Sequence, residues 1–194
     1  LATGDGAGTF AQRLLDDDSF DLAPMVALLR EEVFDTYAQR LPVTVMPEQE
    51  VVEAERYQSF RHPEENEVEM GRLLVPDGYK SYALPVSAIG SHEQQMFGAV
   101  PDAADALLFV SARYRMVEDN PFYYVFLPIS PDKAFIEATV SMEMVDRDGN
   151  TIMKIRQTER SDSHVNTVGG ITTQPDKIQP LCVEATESAL ATID

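Results

Sequence analysis

Tryptophan is absent from the 194 residues, cysteine occurs once and histidine three times. Each scarcity removes a class of chemistry. One cysteine makes no internal disulfide. Cys182 sits in a helical pattern with Leu181, Val183 and Ala185, where a small buried hydrophobe is expected. With no histidine beside it, Cys182 is not expected to act as a thiolate nucleophile. His62, His92 and His164 lie far apart in polar settings and show no His-x-x-x-His spacing, so no metal set is expected. There is no Gly-x-Ser-x-Gly elbow. No apolar run approaches the length of a membrane span.

Lysine is also scarce. It supplies four of the 15 bases, which stand against 33 acids for a net charge of −18. A polyanion would be repelled by such a chain, so neither nucleic acid nor an anionic lipid surface is an expected partner. The acidity is uneven, with 16 acids and five bases in residues 1–70. An acidic, lysine-poor surface is what a high-salt habitat favours, since salt screens the self-repulsion. The chain begins at Leu1 and not at a methionine, as expected of a mature or trimmed form, and export is compatible with that.

What the sequence does contain reads as one domain of α/β (mixed α+β) class over 1–194. It is a single twisted mixed sheet with a long antiparallel hairpin, flanked by helices. Residues 1–18, with Gly4, Gly6 and Gly8, lack the strand of a dinucleotide fingerprint and the lysine of a phosphate loop, so a flexible terminus is expected. Ser19 or Asp21 caps a first helix with Pro24 in its first turn and an apolar stripe of Leu22, Val26, Leu29, Val33 and Tyr37; Leu41 and Pro42 end it. A short strand is expected at 42–46, and a helix at 47–58 burying Val51, Val52 and Tyr57. An acidic surface insertion follows at 59–77, then an edge strand at 79–88 and a helix at Ser91–Ala99. Asp105–Val117 reads as a central strand. Its first half is buried on both faces through Leu107 and Phe109, and its second half is polar outward at Ser111, Arg113 and Arg115. A last helix from Lys177 buries Ile178, Cys182, Ala185, Ala189 and Ile193, with Pro180 in its first turn.

The stretch "MVDRDGNTIMKI", Met144 to Ile155, admits two readings. As a calcium loop begun at Asp146 it fails: position 6 is Thr151, position 12 is Gln157, and the flanks alternate with period two. As a hairpin it places Asp148 and Gly149 in a two-residue turn with φ > 0 at both positions. Paired positions then sum to 297, setting Glu143 against Lys154, Glu137 against Arg160, and Thr139 against Thr158. Met142–Ile155 and Met144–Met153 fall on the buried face.

The acidic clusters Asp16–Asp18 and Glu64–Glu65 read as solvated faces. The loop 120–132 carries Phe122, Tyr123, Tyr124 and Phe126 between Pro121 and Pro128. These rings either complete the core or form a patch for self-association or docking. With no catalytic constellation and no cofactor motif, a non-enzymatic binding module is expected. The alternative is an enzyme or a small-ligand-binding domain.

Three stretches share their order with a known family: "ADALLFVSARY", "FIEATVSMEMVDRDGNTIMKI" and "VEATESALATI". Over residues 24–58 and 103–193 the chain resembles periplasmic lipoprotein modules related to the amino-terminal domain of the Tol-system propeller protein and to the curli-secretion channel lipoprotein. In those families an alanine-aspartate pair leads a central strand and an Asp-x-x-Gly turn joins the next two. Ala104 and Asp105, and Asp146 to Gly149, stand in those places. The family's opening strand is not seen before the first helix: it is either trimmed or degenerate in Leu1–Phe10. The channel's membrane-spanning hairpins have no counterpart. The resemblance implies a periplasmic or outer-membrane-associated protein, held by a lipid anchor upstream of Leu1. Its partners would be other envelope proteins or further copies of itself.

Overall fold

In the computed structural model the described residues are 17, 19–21, 23–60, 78–80, 91–118, 132–167 and 174–193. Outside them lie most of the 1–18 terminus, Leu22, residues 61–77 of the acidic insertion with His62 and Glu64–Glu65, the 79–88 strand beyond Lys80, and the whole aromatic set Phe122, Tyr123, Tyr124 and Phe126.

The fold is mixed α+β, built on a sheet that is antiparallel where a mixed one was expected. Helix α1 (Ala23–Glu31) continues as a π-helical segment (Glu32–Tyr37) and closes with α2 (Ala38–Arg40). Two short helices follow, α3 (Glu48–Val52) and α4 (Glu55–Ser59), then α5 (Ser91–Ala99). The strands are β1 (Ala106–Glu118), β2 (Asp132–Asp146), β3 (Thr151–Arg160) and β4 (Val165–Thr167), and α6 (Pro175–Ala191) ends the chain. The sheet order is β1-β2-β3, with β4 antiparallel to the start of β2, Asp132 facing Thr167 and Ala134 facing Val165. Among the described residues β2 is therefore the centre and β1 an edge, where the sequence pointed to β1 as central. The 15 residues of β2 pair with β1, β3 and β4.

The chain divides into two compact units, and the long strands supply residues to each. The first holds residues 1–28, 112–140 and 156–194. Its core sets Ala134, Ile136 and Ala138 of β2 against Ile178, Leu181, Cys182 and Ala185 of α6. Met25, Val165, Phe20, Tyr114 and Met116 fill in around them. The even-numbered residues of β2 are buried along the whole strand, Ala134, Ile136, Ala138 and Val140 in this unit and Met142 and Met144 in the other, as the period of two requires. Each aliphatic side chain of Ile or Leu size in such a core stabilises by about 1.5–3 kcal/mol. Asp21 caps α1 by accepting the Ala23 N–H at 2.9 Å, while Asp17 holds Ser19 in the preceding turn. Val33 and Tyr37 of the expected stripe are buried, but the deepest residue of α1 is Met25. The π-helical segment, with the Ala38 N–H bonded to the Val33 carbonyl five residues back, changes the spacing that a strict 3.6 period assumes.

The second unit holds residues 29–111 and 141–155. Tyr57, Met96, Phe97, Val100 and Val145 form its core, with Val51, Val52, Leu107 and Phe109 packed on it. Every residue from Ala106 to Val110 is partly covered, which is the two-sided burial expected for the first half of β1. Two corrections belong to this unit. Residues 42–46 form no strand: the chain bends over 41–43, with Val43 exposed, and 44–46 belong to no regular element. The helix expected at 47–58 is broken into α3 and α4, because Ala54 is extended at φ −63°, ψ 131°.

The hairpin turn also differs. The Gly149 N–H bonds to the Asp146 carbonyl and the Asp146 N–H to the Asn150 carbonyl, each at 3.0 Å. The loop therefore holds three residues, Arg147 to Gly149, and only Gly149 has positive φ, +83°. Asp148 takes no positive φ. An aspartate opening a type I turn and a glycine closing it is the favoured pattern, and the left-handed glycine completes a three-residue hairpin. Along the strands the expected Glu143–Lys154 contact (2.8 Å) and Thr139–Thr158 contact (2.9 Å) are present.

Candidate functional site

Antiparallel pairing fixes which side chains leave the first unit on the face away from α6. From β1 these are Arg113 and Arg115, from β2 Lys133, Phe135, Glu137 and Thr139, and from β3 Arg156, Thr158 and Arg160. Arg113, Arg115, Lys133, Arg156, Thr158 and Arg160 are exposed; Glu137 and Thr139 are half-buried between the neighbouring strands. The described helices α1 and α6 pack on the opposite face. Among the described residues the outer face thus gathers five cations around one carboxylate, in a chain whose net charge is −18.

The lone carboxylate is engaged. Glu137 receives Arg115 Nε on one oxygen and Arg115 Nη2 on the other at 2.9 Å, a two-pronged fit between planar groups. That guanidinium holds the Glu137 carboxyl below its ordinary range, outweighing a small opposing effect of burial. Arg160 lies over the Phe135 ring, 4.2 Å from its centre, and the His164 ring tilts onto the same phenyl at 5.5 Å. Phe135 is thereby buried on a face that is otherwise polar. Thr139 and Thr158 bond to each other across the strands. Arg113, Lys133 and Arg156 have no ion-pair partner among the described residues and leave three cationic groups facing water.

The bend at the end of this face is rigidly built. Ser161 is buried, yet its hydroxyl accepts the Ile136 N–H and donates to the Ser163 carbonyl, and its N–H bonds to the Ile136 carbonyl at 2.8 Å. The Ser163 N–H reaches Glu184 of α6 at 3.1 Å. These serines hold the crossing from β3 to β4 in place, and neither is presented as a nucleophile.

The residues singled out from sequence are dispersed. Asp148 and Gly149 form the turn described above, where Asp146 accepts the N–H groups of Asp148 and Asn150 and the Asn150 side chain. Those bonds hold the Asp146 carboxyl below its ordinary range, with Asn150 the main cause. Cys182 is buried, and burial pushes its thiol up to about 12. Tyr114 and Thr186 meet at 2.7 Å beside it; Thr186 gives its proton to the Cys182 carbonyl, so the Tyr114 hydroxyl is the donor of the pair.

The second unit has a shallow depression of about 420 Å³ lined by Ala54, Glu55, Arg56, Ala99, Val100, Pro101 and Asp102. Arg56 pairs with Asp102 at 2.9 Å, and Arg147 bonds to the Asp102 carbonyl while lying over Phe97. Of the charged groups lining it, Arg56 and Asp102 are bound to each other, and neither histidine nor cysteine is among the lining residues. Set beside known proteins, the chain matches no family model, no curated relative and no solved structure.

The cationic face escaped the sequence reading although its parts were visible. Arg113 and Arg115 alternate outward on one strand, and Arg156, Thr158 and Arg160 do so on another. What was missing was that β1 lies beside β2, which brings the arginines of both strands to one surface and pairs Glu137 with Arg115; Arg160, expected to pair with Glu137 across the hairpin, lies over Phe135 instead.

Proposed function

We propose that the chain is a non-enzymatic protein-binding module whose outer sheet face in the first unit docks an acidic segment of a partner. The concentration of five cations around one already engaged carboxylate, on a chain of net charge −18, carries the proposal. Four of the five are arginines, whose forked donors match carboxylates. At physiological salt, charges more than about 8 Å away are largely screened, so a docked segment feels mainly the face beneath it. A nucleic acid brings a continuous line of phosphates and meets the chain's overall repulsion, which a short acidic segment does not. The resemblance to periplasmic lipoprotein modules supports placing this module in the cell envelope, with other envelope proteins as partners. Reversing Arg113 and Arg156 to glutamate should abolish binding of a glutamate-rich peptide and leave the melting temperature within a few degrees, since both side chains are exposed. Undiminished binding to the doubly reversed protein would overturn the proposal.

A further inference from the structure

Two unpaired arginines of the outer face flank a pair of hydroxyls, and we propose that together they hold a phosphate monoester: a phosphorylated serine or threonine within the acidic segment of the partner. This rests on reading the outer face as a protein-binding surface, and it names the group that anchors the partner. Arg115 meets Glu137, and β1 runs antiparallel to β2. Two residues back on β1 and two forward on β2, the same offset sets Arg113 beside Thr139. Thr158 lies on the other side of Thr139, bonded to it at 2.9 Å, and Arg156 stands two residues from Thr158 on β3. With strands about 4.8 Å apart and alternate residues about 6.7 Å apart, the backbones of Arg113 and Arg156 are roughly 12 Å from each other, on opposite sides of the threonine pair. Both side chains are exposed, and neither has a hydrogen-bond or ion-pair partner among the described residues. Two extended arginines close such a span from its two ends.

The threonine pair supplies a donor between them. Two hydroxyls joined by one hydrogen bond leave one proton to give to a ligand. Three donor groups thus surround one point: a guanidinium from each flank and a hydroxyl beneath. Arg160, beyond Thr158, is engaged over Phe135 and is not required. A carboxylate fits this arrangement less well. Glu137, on the same face, matches a single guanidinium with its two oxygens. With one charge and one plane, a carboxylate would leave Arg113 or Arg156 unmatched. A phosphate monoester carries about −1.5 to −2 at pH 7 and offers three acceptor oxygens in three directions, one for each donor group.

The test uses the whole chain and three ten-residue peptides alternating glutamate with threonine, identical except at one central threonine position, which holds serine, phosphoserine or glutamate. At low salt and pH 7 the phosphoserine peptide should bind at least tenfold more tightly than either of the others. Equal affinities would overturn the inference and leave docking of an acidic segment standing, while no binding by any of the three would remove both. Arg113→Gln with Arg156→Gln should abolish the preference for phosphoserine. Thr139→Val with Thr158→Val, a change that suits a strand, should weaken the phosphoserine peptide about tenfold, the usual contribution of a hydrogen bond to a charged group, at an unchanged melting temperature. A preference unaltered by either double change would overturn the inference. So would binding to vesicles containing phosphatidate without binding to the phosphoserine peptide, since the phosphate would then be a lipid's.

Discussion

Tyr114 illustrates how one residue is fixed by its surroundings. Its ring lies in the core of the first unit, and its hydroxyl donates to Thr186, which in turn donates to the Cys182 carbonyl. Burial pushes Tyr114 from an ordinary 10.0 up to about 12, and Cys182 from 9.0 up to about 12. Both groups are neutral in the fold and ionise more readily when unfolded. The stability they lend is therefore complete below pH 9 and is withdrawn as the pH climbs towards 12, by an amount on the order of a few kcal/mol. Chemical unfolding followed from pH 8 to 11.5 should show a steady fall, shallower in Tyr114→Phe. At pH 7 that substitution should cost about 1 kcal/mol, the net value of one hydrogen bond. An alkaline slope identical in the two proteins would show that Tyr114 is not responsible.

At the scale of elements, two local rules can be checked directly. Pro180 was expected in the first turn of the last helix, but α6 begins at Pro175, so Pro180 lies inside the helix and leaves the Asp176 carbonyl without its N–H partner. Pro180 is exposed, and Pro180→Ala removes no packing. The variant should be more stable by about 1–3 kcal/mol, read as a higher denaturant midpoint; a lower midpoint would mean that the proline is needed. In the hairpin, Gly149 at φ +83° holds a conformation that costs an ordinary residue about 1–2 kcal/mol. Gly149→Val should lose at least that much, and an unchanged melting temperature would contradict the turn geometry. The long elements were legible because their periods are: α5 spans the expected Ser91–Ala99, and the buried row of β2 is the expected one. The misplaced features depend on backbone detail or on neighbours. The break at Ala54, the π-helical segment and the three-residue turn leave little trace in hydrophobic period, and no pattern within β1 states that it lies at an edge.

For the whole molecule the governing quantity is charge. With 33 acids against 15 bases, 16 of the acids within residues 1–70, self-repulsion opposes folding and salt should relieve it. Between 0.05 and 2 M NaCl the melting temperature should rise by about 4–8 °C, the shift that roughly 2 kcal/mol makes in a chain of this size. A flat or falling melting temperature would remove the argument for adaptation to salt. Against that background the outer face of the first unit is the exception, and its function is the central claim. The most direct measurement is an amide-resolved NMR titration of the whole chain with a ten-residue glutamate-threonine peptide at 0.05 M NaCl. Shifts should concentrate at Arg113, Arg115, Glu137, Thr139 and Arg156–Arg160 and be absent from the buried face of α6 around Ile178 and Ala185. Shifts confined to the depression around Arg56 and Asp102, or no shifts at all, would contradict it.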